Sequence, residues 1–125
     1  MYLDNEEIVL TFPISTVASM FKMHPRTLRL YEKEKILCPM RSNANRRLYT
    51  LENIEELKLI VFLTRNLMFN LLGVKIILSV FKKSGIKSKN YISYINTVAN
   101  DANITSEAQQ QNIYKTSKRG RPSSL

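Results

Sequence analysis

The stretch PISTVASMFKMHPRTLRLYEKEKILCPMRSNANRRLYT, residues 13–50, decides how the rest of the chain is read. It reads as two short helices joined by a tight turn, followed by a basic pair of extended arms. The first helix is expected over Thr16–Phe21 with Ser15 as its N-cap, because a serine oxygen can accept an orphan amide proton of the first turn. Val17, Ala18, Met20 and Phe21 supply its apolar face at helical spacing. Lys22 and Met23 make the turn. His24-Pro25 then opens the second helix, since proline at the first helical position has a pre-set φ and loses no needed N–H. Leu28 and Tyr31 lie three apart and face inward, while Arg26, Arg29 and Lys33 fall on the opposite side. Beyond Cys38-Pro39, the segment Arg41–Tyr49 gives two short extended arms around a polar turn. A short helix with one apolar and one cationic stripe, entered by a sharp turn, can place arginines in a DNA major groove. The plainer alternative is a basic helical hairpin on an ordinary soluble protein.

Charge is distributed to match the first alternative. Of a net +9, residues 22–50 carry +6 and residues 115–125 carry +4, leaving −1 for everything else. An excess confined to one compact stretch and one tail is what a polyphosphate partner requires. Neither basic stretch forms the strongly amphipathic, aromatic-rich helix that would lie in a membrane interface. Lys58, Arg65 and Lys75 interrupt every apolar run before it reaches spanning length, and the acidic start MYLDNEEIVL is not a signal peptide.

Enzymatic and metal chemistry find no footing. One cysteine excludes an internal disulfide and any multi-thiolate centre, and Cys38 reads as a small, partly buried residue. His24, the only histidine, is structural at its N-cap position and makes no metal site alone. There is no paired-carboxylate or nucleophile–base set, and three glycines leave little material for a phosphate-cradling loop. The expectation is a reduced, cytoplasmic, nucleoid-associated, non-enzymatic protein without a cofactor.

The remaining chain divides into segments of different character. Residues 1–12 form an arm whose Ile8, Leu10 and Phe12 allow either a brief strand or packing on the core. Thr50 caps a helix in which Ile54, Leu57, Ile60 and Val61 face the core. Residues 66–70 break it. Leu71–Lys83 is a further helix with Val74, Ile77, Leu78 and Phe81 on one face, ended at Ser84-Gly85. From 89 to 113, Ile92, Ile95, Ala99 and Ala102 begin an a/d heptad register that continues through Ser106, Gln109 and Ile113. That segment reads as a short dimerisation helix, a helix folded back on the core, or one that frays after Asn103. The tail 115–125 cannot bury a core and is expected to be disordered when free. Its Arg119-Gly120-Arg121-Pro122 has the form of an A·T minor-groove hook, or is chance in a basic tail.

These residues resemble the MerR family of transcription regulators. HPRTLRLYEKEKIL (24–37) is similar to that family's recognition helix and NRRLYTLENIEEL (45–57) to its wing and third helix. MHPRTLR, ANRRLYT and NLLGVKIIL look most like the HspR-type heat-shock repressors, with the GlnR-type nitrogen regulators next. The resemblance implies a mainly α fold: a winged helix–turn–helix over 13–84, a C-terminal dimerisation helix within 85–114 and the basic tail. It implies a homodimeric DNA-binding repressor on an inverted repeat of double-stranded DNA at chaperone genes, with the DnaK chaperone as co-repressor and no small-molecule effector. Carried over residue by residue, it places Arg26 and Thr27 at base edges, Arg29 and Tyr31 at phosphates, and Arg41, Arg46, Arg47 and Tyr49 in the wing. Ser15, Thr16, His24 and Pro25 join that DNA-facing set, as do Arg119 and Arg121 of the tail. Three departures stand out, one of them Arg26 where many heat-shock members carry Gln, which implies a different operator. Met68 occupies the place of a glycine that ends the family's third helix, which predicts a different cap there, and Leu72 replaces an alanine before Gly73. A relative that keeps the fold but binds a chaperone as an adaptor is the competing class, though such proteins tend to lose the reader's cations. An architectural nucleoid protein dominated by the tail is a third.

Overall fold

The computed structural model describes residues 9–104. The chain divides into two compact units, Met1–Leu57 and Lys58–Leu125.

The first unit contains strand β1 (Thr11–Pro13), helices α1 (Ile14–Met20) and α2 (Pro25–Lys33), and strands β2 (Met40–Arg41) and β3 (Arg47–Thr50). The three strands form one antiparallel sheet in the order β1-β3-β2. The arm left open between strand and packed coil is therefore a strand from Thr11 onward, with Thr11 paired to Thr50 and Pro13 to Leu48. This moves the start of α1. Extended Pro13 is both the last strand residue and the N-cap, with no side-chain cap, so the helix begins at Ile14 rather than Thr16. Ser15, expected as the cap, lies exposed inside the first turn.

Each helix end in this unit is closed by a non-glycine residue in the left-handed region. Lys22 (φ 52°) ends α1, with the Met23 N–H donating to the Ala18 carbonyl and the Lys22 N–H to Ser19. Lys35 (φ 59°) ends α2 the same way, with Ile36 donating to Tyr31 and Lys35 to Glu32. Both have the hydrogen-bond pattern of a Schellman cap, which turns the chain sharply at a modest conformational cost. Val17, Ala18, Leu28, Tyr31, Leu37 and Tyr49 are buried in this unit. Met20, assigned to the apolar face of α1, is half exposed. Cys38 is exposed rather than partly buried.

Helix α3 (Leu51–Val61) starts in the first unit and ends in the second. Thr50 caps it as expected, through a reciprocal pair: Thr50 Oγ1 accepts from the Asn53 N–H and Asn53 Oδ1 from the Thr50 N–H. Asn53 thereby takes the part usually played by a glutamate or glutamine in a capping box. Its side-chain amide also donates to the Cys38 carbonyl, tying the loop after α2 to the start of α3.

In the second unit a π-type turn over Phe62–Asn66 follows α3, and α4 (Leu71–Lys83) begins on the Asn70 side chain, which accepts from the Gly73 N–H at 2.9 Å. The corner between them corrects one expectation. Met68 holds φ 63°, the left-handed conformation a glycine would supply, so the cap keeps its geometry and the methionine carries the strain. Leu72 is exposed and disturbs no packing, whereas a Cβ at Gly73 would lie 3.0 Å from Phe69 Cδ2. A 3₁₀ turn, Ser88–Asn90, leads into α5 (Tyr91–Asp101), and Phe81 of α4 meets Tyr91 and Tyr94 edge-on.

Helix α5 is shorter than the heptad pattern predicts. Asn103 (φ 65°) closes it, with the Ile104 N–H donating to Ala99. Ser106, Gln109 and Ile113 lie outside the described residues. Of the residues assigned to a dimer seam, Ile95 and Ala99 are buried within the chain, Ile92 is half-buried and Ala102 is exposed. Part of the a/d face is thus covered by the chain itself, while Tyr94 and Val98 remain partly exposed.

Candidate nucleic-acid interface

Helix α2 is positioned by its own ends. His24 caps it, Nδ1 accepting from the Arg26 N–H at 2.9 Å, and Pro25 occupies the first turn. The lone histidine thus has the structural role expected of it. With Leu28 and Tyr31 turned into the core, Arg26, Arg29 and Lys33 are exposed on the opposite side, and Thr27 is half-buried beside them. Ser15 and Thr16, both exposed, sit on the first turn of α1, which packs against α2.

The hairpin β2–β3 supplies a second group of cations. Its turn is built from Ser42, whose hydroxyl accepts from the Ala44 and Arg46 amides, and from Asn45 at φ 63°. Asparagine tolerates that region better than most side chains. Arg46 stands exposed just after the turn. Arg41 and Arg47 are direct cross-strand partners, and both bind one carboxylate from α2. Glu32 Oε2 accepts from Arg41 Nη2 at 3.0 Å, and Oε1 accepts from Arg47 Nε at 2.5 Å. The hydrogen bond from Arg47 is the main reason the Glu32 carboxyl lies below its ordinary value. Burial opposes the shift and Arg41 adds to it.

The two tyrosines assigned to DNA are both buried. Tyr31 is 6% exposed and Tyr49 not at all. The Tyr49 hydroxyl is the one buried side-chain polar atom without a hydrogen-bond partner among the described residues. Burial pushes its pKa up, with Arg47 opposing and Glu32 reinforcing the shift. Each tyrosine is the inward residue of its element. Sequence reasoning missed Glu32 and Asn53 as organising residues. Glu32 meets partners nine and fifteen positions away, beyond any local spacing rule, and the one available signal was an acid embedded in a cationic helix. Arg119 and Arg121 lie outside the described residues.

Residues 12–80 match the sequence profile of the MerR HTH family regulatory protein. The chain belongs to the MerR family. No curated protein and no solved structure matches it. MerR-family membership makes the chain a DNA-binding transcriptional regulator, and the matched segment contains α1, α2 and the hairpin. Among the described residues, no group of three or more His, Cys, Asp or Glu could hold a metal ion, and no helix is long and apolar enough to cross a membrane.

Proposed function

We propose that this MerR-family protein is a sequence-specific repressor that binds an inverted repeat as a homodimer. In this reading α2 enters the major groove, with Arg26 and Thr27 at base edges and Arg29 at phosphate. The hairpin acts as the wing, with Arg41, Arg46 and Arg47 beside the backbone. The observation that carries it is the segregation of α2 into a buried face of Leu28 and Tyr31 and an exposed face of Arg26, Arg29 and Lys33. Arginine is the best bidentate reader of guanine, and wing cations add salt-dependent affinity. The same exposed cations weigh against an adaptor that has exchanged DNA for a protein partner. The regulon is proposed from the HspR-like motifs MHPRTLR, ANRRLYT and NLLGVKIIL: chaperone genes, with DnaK as co-repressor.

Footprinting on genomic fragments, at roughly physiological salt with excess non-specific competitor, tests the proposal. Protected inverted repeats upstream of chaperone genes are the expected result. Inverted repeats elsewhere would remove the heat-shock assignment, and diffuse A·T-biased protection would point to the tail. Absence of protection would favour the adaptor.

A further inference from the structure

A carboxylate on a phosphate-facing helix repels the ligand, yet α2 carries Glu32 between Arg29 and Lys33. Glu32 does not face solvent freely: its side chain is 23% exposed and that of Arg47 26%. Its two oxygens are divided between two strands, Oε2 to Arg41 on β2 and Oε1 to Arg47 on β3. Those arginines are direct cross-strand partners, and like charges directly opposite each other destabilise a hairpin. Arg41 also reaches into the turn, with Nη1 donating to the Asn45 carbonyl at 3.1 Å. One carboxylate thus joins α2 to both strands and, through Arg41, to the turn.

We propose that Glu32 is a positioning residue of the DNA reader, docking the hairpin on α2 and fixing the Arg41 and Arg47 guanidinium groups before DNA arrives. The inference rests on the DNA-binding reading above. An isolated surface ion pair contributes little, but this carboxylate is shared by two guanidiniums on different strands, of which Arg47 is sheltered and Arg41 more exposed. Arg47 engages Glu32 through Nε, and none of the hydrogen bonds described uses its two terminal nitrogens. A guanidinium anchored at one edge presents the remaining donors in a fixed fork, the geometry that matches phosphate. Holding two long side chains in place beforehand removes ordering cost from the binding step.

The opposite role, in which Glu32 sequesters the arginines and competes with phosphate, predicts an effect of opposite sign. The test measures full-length wild type and Glu32→Gln on two probes: a duplex selected from random-sequence DNA by the wild type, and a shuffled duplex of the same composition. Positioning predicts about tenfold weaker binding of the selected duplex by Glu32→Gln, with the shuffled duplex bound equally or slightly more tightly. In an Arg47→Ala background the same substitution should change affinity by less than about twofold. Equal or tighter binding of the selected duplex by Glu32→Gln overturns the proposal and leaves the DNA reading intact. So does an undiminished loss in the Arg47→Ala background. If the wild type enriches no duplex, the DNA reading itself fails. NMR of the free protein gives an independent check that does not depend on the variant's folding: the Arg47 Nε–H should be protected from exchange in the wild type, and a freely exchanging Nε–H overturns the proposal whatever the DNA data show.

Discussion

At the scale of single residues, the exposed arginines and the buried tyrosines make opposite predictions. Arg26→Ala should lose about 1–3 kcal/mol on the selected duplex and relax preference at one base position; equal loss on every sequence would reassign Arg26 to phosphate. Tyr49→Phe should leave DNA affinity unchanged and range from neutral to about 1 kcal/mol stabilising in denaturant melts, because its buried hydroxyl has no partner to lose. A clear loss of affinity would restore the tyrosine to the interface. Glu32 adds a pH signature. Its carboxyl titrates below the ordinary 4.5 in the folded protein, so its stabilising contribution is present above that value and disappears as pH falls through the lower folded one. Denaturant melts at about pH 6 and about pH 3.5 should show a smaller difference for Glu32→Gln than for the wild type. The helical spacing of Leu28, Tyr31, Arg26 and Arg29 was legible because it depends only on the chain's own period. The Glu32 network was not, because it exists only once the hairpin has come back against α2.

At the scale of elements, starts are legible where a side chain marks them and obscure where the backbone alone decides. Thr50 and His24-Pro25 announce α3 and α2, and Leu71–Lys83 appears with the limits that Gly85 and the preceding break impose. The start of the first helix is not legible because no side chain caps it; strand pairing through Pro13 sets it. Of the heptad positions, Ile95 and Ala99 are buried and Ala102 is exposed; periodicity cannot say which surface an apolar face meets. Left-handed caps on Lys22, Lys35 and Asn103 are invisible for want of glycine, and the corner at Met68 is marked only by the resemblance. Met68 gives the sharpest test. It is 46% exposed, so little packing is lost on truncation, and Met68→Gly should stabilise by about 1 kcal/mol in thermal or denaturant melts. Destabilisation would mean that its side-chain contacts outweigh the backbone relief.

For the molecule as a whole, the proposed reading assigns affinity to the cations and the inverted-repeat preference to two copies. Removing the exposed Arg46 by Arg46→Ala should weaken all sequences alike and lower the salt slope by about one. Deleting 115–125 should leave specific affinity nearly intact while reducing non-specific binding; collapse of specific affinity would move the tail to the centre of the mechanism. Sedimentation of the full chain with and without its selected duplex would tell whether two copies assemble before or upon binding, and a single copy per duplex would exclude the inverted-repeat arrangement. Ile95 and Ala99, proposed for the dimer seam, are buried within the chain, so the same experiment on Ile92→Ala, a half-buried member of that set, asks whether the seam forms there.

The pairing of Thr11 with Thr50 has a consequence for how such a reader can be reused. The segment that holds α1, α2 and the hairpin leaves and re-enters the chain at adjacent points, about 5 Å apart as antiparallel neighbours are. It is a loop with its neck tied. Beyond Thr50, however, Asn53 ties back to the Cys38 carbonyl and Ile54 and Leu57 are buried in the same unit, so the cassette that another scaffold could accept runs from Thr11 through Leu57.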